Sequence, residues 1–437
     1  MSNKKNLFHL VFRVGAGIVL SSATMLIVPR FISPSEMGQL ALALSIHGFL
    51  MITCEGGFRL YAIKEDLEHH PLLIGNLLIN QIAHIIVALV VVAMGYGICC
   101  LFSAITWIQS LPLAFFMLML QPFYFRRQLA TVGAERELNF KVIGKIELIE
   151  NICFNATLLL SAWVSYGAWS FVLAHSMRCL VGFIQAQRFP IIWPKVAAHK
   201  WFSSAILAAY RYGFSLQTIQ WTHSIRCMIM NSLIVYFTNP YSLGLFDRSL
   251  LIANAPLSLF QGVTDRFLFA YISKNYYSDP ARCRQAISKA IRYIGWMDKA
   301  VYLGLLFVGL PLLMHFWGEK WQPVARLVPI VMLGSALFGS LSFPTTPLQT
   351  ATAQTGFMFK MALLAMALTV TAGPILLHYF GIAGACWLGV LLWSFSFLAI
   401  AQTITIIGTF KWFRAWITSS VIAIALYFFI RQFVTIF

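Results

Sequence analysis

Apolar stretches of about 20 residues, the length an α-helix needs to cross a bilayer, recur along the chain between short clusters of Gly, Pro and charged residues. The pattern predicts thirteen spans, near 14–32, 38–57, 74–101, 104–124, 143–165, 168–187, 213–237, 243–271, 294–316, 325–344, 357–379, 382–407 and 415–436. The connectors repeat as well. Phe12-Arg13-Val14-Gly15 is echoed by Tyr210-Arg211-Tyr212-Gly213, and Phe31-Ile32-Ser33-Pro34 through Gly38 by Phe237-Thr238-Asn239-Pro240 through Gly244. Tyr166-Gly167-Ala168-Trp169 is matched by Phe380-Gly381-Ile382-Ala383. Six spans return the chain to the side on which it began, so two such copies form a parallel repeat, the plan of many secondary transporters.

The expected architecture is therefore an all-α polytopic membrane protein, with two six-helix lobes and one extra C-terminal transmembrane helix. The lobes are expected at 1–190 and 213–408, joined by a cytoplasmic linker at 191–212, with the extra helix at 409–437. Two stretches, His199–Tyr212 and Ala281–Tyr293, carry apolar residues every four positions beside basic ones. They read as helices lying on the inner leaflet.

Composition supports the membrane reading: 59% of the 437 residues are hydrophobic and 10% charged, where soluble domains carry roughly a quarter. The net charge of +17 would suggest nucleic acid in a soluble protein. Here the Lys and Arg alternate by side. With the N-terminus in the cytoplasm, most fall on inner segments, while Arg30, Lys320, Arg326 and Arg431 fall outside. That is the positive-inside bias, and no nucleic-acid partner is expected. The eight cysteines form no CxxC pair and mostly sit in apolar spans, so neither metal, cofactor nor disulfide is expected. Motifs for acyl transfer, nucleotide hydrolysis or zinc hydrolysis are absent, so the chain is not expected to be an enzyme.

Charge inside the spans marks the candidate site, because a buried charge costs about 2.5–3.5 kcal/mol on insertion scales and usually faces an interior or a water-filled cavity. Arg226 and Arg178 fall mid-span, Arg248 in the outer half of its span, and Asp265 and Arg266 nearer the inner end. Ser215, Thr218, Thr222 and Arg226 share one helical face, as do Asp247, Asn254, Ser258, Gln261 and Asp265. Arg226, Arg248 and Arg178 are the expected anion-binding residues. Asp247, Glu55 and Asp265 are candidate coupling or counter-ion carboxylates. Lys299 and Arg266 are expected to snorkel to the inner interface, and Glu147 and Glu150 to lie at that interface. Trp221 and Tyr236 are candidates for stacking on sugars.

These motifs together, with Gly244-Leu245-Phe246-Asp247-Arg248 entering span eight and Trp317-Gly318-Glu319-Lys320-Trp321 after span nine, give the chain its family likeness. Over about residues 10–408 it resembles the polysaccharide-transporter branch, the Wzx-like oligosaccharide flippases, of the multidrug/oligosaccharidyl-lipid/polysaccharide exporter superfamily. The resemblance implies two lobes in a V and alternating access in the bacterial inner membrane. It implies transfer of an undecaprenyl-diphosphate-linked oligosaccharide, a repeat unit of O-antigen, capsule or exopolysaccharide, from the inner to the outer leaflet. Arg248 matches the family's motif at span eight, whereas Arg226 and Arg178 rest on burial. A monomer is expected, with membrane lipids and a polymerase or glycosyltransferase of the same pathway as partners. The competing reading is a MATE-type multidrug antiporter of the same fold.

Overall fold

The computed structural model describes Gly17 and residues 20–64, 72–101, 105–137, 140–189, 191, 204–276, 278–352, 354–409, 411–413, 416–417, 420–421 and 425; at 64, 105–106, 140–141, 205, 215–216, 255–267, 270 and 355 it describes the backbone alone. Every described element is helical. After α1 (20–27) and a 3-10 turn come α2 (Pro34–Glu55), α3 (Phe58–Lys64), α4 (Leu73–Leu101), α5 (Ile105–Met119), α6 (Gln121–Ala130), α7 (Val132–Arg136), α8 (Phe140–Trp163) and α9 (Trp169–Ala186). The second series is α10 (Ser204–Phe237), α11 (Pro240–Asn275), α12 (Pro280–Gly304), α13 (Leu310–Trp317), α14 (Val324–Ala351), α15 (Thr355–Phe380), α16 (Ile382–Trp393) and α17 (Ser396–Ile407). Among the described residues, seven helical stretches are long and apolar enough to cross a membrane. The chain is an all-α, multi-pass membrane protein. Each predicted span from 38–57 to 382–407 falls on helix, while most of 415–436 lies outside the described residues.

The repeated connectors fold alike. Ser33 caps α2 with a capping box, the Ser33 and Glu36 backbone amides each donating to the other's side chain at 2.9 and 3.3 Å, and Pro34 fills the first turn. Asn239 caps α11, accepting from the Ser242 amide at 2.8 Å, again with Pro next. Gly167 and Gly381, which precede α9 and α16, have φ of 56° and 55°, a conformation that side chains rarely adopt. These matched caps are consistent with an internal repeat.

The chain divides into two compact units, Met1–Met228 and Ile229–Phe437. In the second, α14 is the central helix, packed on α11, α12, α16 and α17, and three internal prolines (Pro329, Pro344 and Pro347) lie along its buried length. The Tyr302 hydroxyl donates to the Pro329 carbonyl at 3.2 Å. Between α12 and α13 the helix opens into a π-turn at Leu305–Gly309, just ahead of Pro311, which has no amide hydrogen to donate.

The two expected surface helices turn out otherwise. Residues 204–212 are the first turns of α10, which continues unbroken to Phe237; residues 192–203 lie outside the described residues. Ala281–Tyr293 is likewise the start of α12. Its apolar residues Cys283, Ile287 and Ile291 pack on Leu341, Leu348 and Ile407 in the core of the second unit. The four-residue period therefore marks a protein-facing stripe, and lipid is not its partner.

In the first unit one close approach sets where α10 lies. Gly56 and Gly57, with φ of 63° and 70°, turn the chain from α2 into α3. A Cβ on Gly57 would stand 2.5 Å from Gly213 Cα, and a Cβ on Gly213 would overlap the Gly56 carbonyl. Ala209 joins Phe58, Leu77, Phe125 and Leu129 in the core beside this contact. Gly57→Ala should therefore lose at least about 2 kcal/mol, from forced left-handed backbone plus the clash. Gly48→Ala, in α2 with nothing within 4 Å of the new methyl, should be neutral or stabilising by about 0.5–1 kcal/mol. Thermal unfolding of the detergent-solubilised protein measures both, and equal midpoints would contradict the contact.

Candidate functional site

The Tyr210-Arg211-Tyr212-Gly213 motif opens onto a cavity of about 1190 Å³, lined by α2, α4 and the first half of α10, all within the first unit. Each residue of the motif has a distinct job. Gly213 allows the backbone approach described above. The Tyr210 hydroxyl lies 2.8 Å from His84 Nε2, and its ring packs edge-on against Phe58. Tyr212 packs against Tyr61. Arg211 lines the cavity, exposed, with no carboxylate partner among the described residues.

Farther along α10, Gln217 donates to the Ile52 carbonyl at 3.0 Å, which ties the helix to α2 a second time. Trp221 packs edge-on against Phe214, and its indole N–H is buried without an acceptor. Leu50, Val87, Val91 and Leu207 supply apolar wall, and no Asp or Glu lines the cavity among the described residues. Chemically, this is an amphipathic pocket with an unneutralised guanidinium, a spare indole donor and several aromatic faces.

The cations expected from the sequence sit elsewhere. Arg226 is on α10 but outside the cavity wall, about 140° around the helix from Trp221 at 100° per residue. Its Nη2 is 3.3 Å from His223 Nδ1 and 3.9 Å from Cys227 Sγ, and no carboxylate pairs with it among the described residues. The polar stripe that drew attention to it is largely self-satisfied: Thr218 and Thr222 donate to the carbonyls of Phe214 and Thr218 at 2.6 and 2.8 Å. Arg178 is half-buried on α9, its Nε without a partner, and close enough to Glu150 to act on it electrostatically.

Arg248, 6% exposed, bonds to its neighbour Asp247 through Nε at 3.0 Å and through Nη2. Glu55 is half-buried at the end of α2, and its nearest cation, Arg59, is already held by both oxygens of Glu135 at 2.7 and 2.9 Å. Asp265 lies on α11 where the backbone alone is described. Tyr236 is 81% exposed.

Three buried polar groups contradict or extend the sequence reading. Arg127, which follows the predicted end of span four at residue 124, is buried in α6 and pairs with Glu150 at 2.9 Å and Glu147 at 3.6 Å. Glu150 is 2% exposed, so it is a core residue and does not lie at the interface. Lys299 does not snorkel. It is 2% exposed and lies 3.9 Å from the equally buried Asp298. Finally, His47, Gln121 and His175 form a buried cluster. The sequence around Arg127 held no signal for its inward turn, because its partner Glu150 lies on another helix.

Comparison with known proteins places these features in a family context. Residues 27–326 match a family model described as polysaccharide biosynthesis protein. An uncharacterized membrane protein in the cps region of Klebsiella pneumoniae is 20% identical over 327 residues, 73% of this chain and 65% of that protein. The chain thus spans under two thirds of that relative's length. Among solved structures, the lipid II flippase MurJ in an inward closed conformation aligns with 97% of this chain and 92% of its own, with a TM-score of 0.72 and 13% identity. An inward-facing multidrug resistance MATE family transporter of the MOP superfamily aligns with 91% of this chain and 98% of its own, with a TM-score of 0.68 and 12% identity. At such identities the likeness is one of fold.

The Arg127–Glu150 pair makes a direct test of the first unit's core. Arg127→Met strands the Glu150 carboxylate and should cost about 3–5 kcal/mol, whereas Arg127→Met with Glu150→Leu should recover most of it. A thermal-unfolding double-mutant cycle with no coupling between the two sites would refute the pairing.

Proposed function

The chain belongs to the polysaccharide biosynthesis protein family, and from that premise we propose that it is a flippase for undecaprenyl-diphosphate-linked oligosaccharides. It moves an O-antigen, capsule or exopolysaccharide repeat unit from the inner to the outer leaflet of the bacterial inner membrane by alternating access, with its N-terminus in the cytoplasm. The observation that carries this reading is the cavity wall. An unpaired Arg211 suits a diphosphate, the aromatic faces of Tyr212, Phe214 and Trp221 suit the apolar faces of sugar rings, and the aliphatic wall suits the start of an isoprenoid chain.

Arg226 and Arg178, neither held by a carboxylate, are further cationic stations on the same path. Arg248 contributes less, because Asp247 neutralises it. Glu55 and Asp265 are counter-ion carboxylates in this reading. The lobes correspond to 1–190 and 213–408, with the linker at 191–212 and an extra helix at 409–437, and the protein works as a monomer alongside a polymerase or glycosyltransferase of its pathway. A multidrug antiporter of the same fold would need an acidic wall for cationic drugs, and among the described residues this wall carries no acid.

Deletion of the gene should abolish the surface polysaccharide and leave lipid-linked oligosaccharide on the cytoplasmic face. In complementation, Arg211→Ala and Arg226→Ala should each lower export at least about tenfold, the worth of one charged hydrogen bond of about 1.5 kcal/mol. Lys at either position should retain part. Wild-type polysaccharide from Arg211→Ala, in protein inserted at normal levels, would overturn the cavity assignment.

A further inference from the structure

The proposed transport makes no use of a buried cluster that joins three helices of the first unit. His47 of α2, Gln121 at the first turn of α6 and His175 of α9 meet inside the first unit, with His47 7% exposed and Gln121 fully buried. The Gln121 amide nitrogen lies 2.8 Å from His47 Nε2 and 3.0 Å from His175 Nε2. An amide has two N–H donors, so one goes to each ring, and both Nε2 atoms accept. Both imidazoles are then neutral, with their hydrogen on Nδ1. The Gln121 carbonyl oxygen meanwhile is buried with no partner, an unfavourable state for a buried acceptor.

The arrangement has a second state. A half-turn of the Gln121 amide would bring its orphaned oxygen to the ring nitrogens, where it would need an Nε2–H to accept. Adding a proton supplies one. We propose that His47 and His175 form a proton-binding site in the first unit, that Gln121 rotates to follow the proton, and that this proton is the one coupled to transport.

In the uptake step an Nε2 lone pair takes H⁺ from hydronium, so one O–H bond breaks as the N–H bond forms and water is released. That N–H then donates to Gln121 Oε1. The site takes one proton, since the ring centroids are 5.3 Å apart and two buried imidazolium ions would repel. Arg178, three residues along α9, adds to that repulsion and also acts on Glu150 of α8 and Tyr124 of α6. Glu150 is itself held by Arg127 of α6. Cys179 Sγ lies 3.5 Å from His175 Nε2. Helix α5, packed on both α2 and α9, carries no titratable side chain. The coupling role rests on the transport reading above, but the proton site does not.

The test has two arms on the full-length protein. In nanodiscs, the His47→Gln, His175→Gln double variant, in which amides replace the rings, should bind one proton fewer per chain than wild type across the acidic range. Superimposable titrations would overturn the site, and if the double variant does not fold, the His175→Gln single variant decides it in the same way. In cells, collapsing the pH gradient with nigericin should slow wild-type export several-fold and leave the residual export of His175→Gln unchanged. Wild-type export indifferent to the gradient would overturn the coupling role, even with the proton counted. A wild-type chain that exports no lipid-linked glycan defeats the flippase reading alone, because the titration still decides whether the site exists.

Discussion

The organisation of the first unit depends on a contact that only glycines can make. Where Gly56-Gly57 meets Gly213, no side chain separates the α2–α3 turn from α10. That approach sets the distance at which every neighbouring group meets. It lets Tyr210 reach His84 at 2.8 Å and Gln217 reach the Ile52 carbonyl at 3.0 Å. It also leaves the side chains between those two ties, Arg211 and Phe214 among them, to face a cavity. A larger residue at position 57 or 213 would push α10 outward and lose both polar ties together. The same motif that recurs in the sequence is thus what positions the cavity wall.

Charge is handled by a second constraint. In a medium that cannot solvate it, each buried ion must find a partner nearby. Asp247–Arg248 and Asp298–Lys299 do so between consecutive residues, and Arg127–Glu150 does so between α6 and α8. Gly182, where a Cβ would collide with the Glu150 carboxylate, keeps the space that this pair occupies. Three acids are consumed in these pairs. The described cations left without a carboxylate partner include Arg211, Arg226 and Arg178, so part of the excess of basic residues in the composition reappears as guanidinium groups that no described acid neutralises.

Much of the architecture was legible because it follows from length and local chemistry. Spans follow from apolar runs of bilayer length, and helix starts from Ser33-Pro34 and Asn239-Pro240, whose side chains satisfy the first amides wherever they occur. Glycines that must adopt positive φ, such as Gly167 and Gly381, are recognisable for the same reason. The site was much less legible. Arg127 and Lys299 at the end of an apolar run look identical in sequence whether they snorkel to water or fold inward, and the outcome is decided by whether an acid awaits them, which for Arg127 is a residue on another helix. The stripe of Thr218, Thr222 and Arg226 has the polarity of a cavity wall, yet the threonines satisfy themselves on their own helix. The actual wall, Tyr210, Phe214, Gln217 and Trp221, steps four, three and four along α10 but is mostly aromatic, and aromatic residues at that spacing read as packing.

The chemistry of the wall then narrows what can occupy it. A carboxylate there would attract cations and neutralise Arg211, and the chain has carboxylates to spend, but those with described side chains in the first unit are held elsewhere or lie outside the wall. A wholly apolar wall would take lipid without distinguishing its headgroup. A wholly polar one would leave an isoprenoid chain in water. The combination of one free guanidinium, aromatic faces and an aliphatic side selects for a ligand that is anionic at one point and amphipathic around it. That restriction comes from side-chain chemistry, independently of the fold that MurJ and the MATE transporters share with this chain, and it is the ground on which the proposed function favours an anionic lipid-linked cargo over a cationic drug.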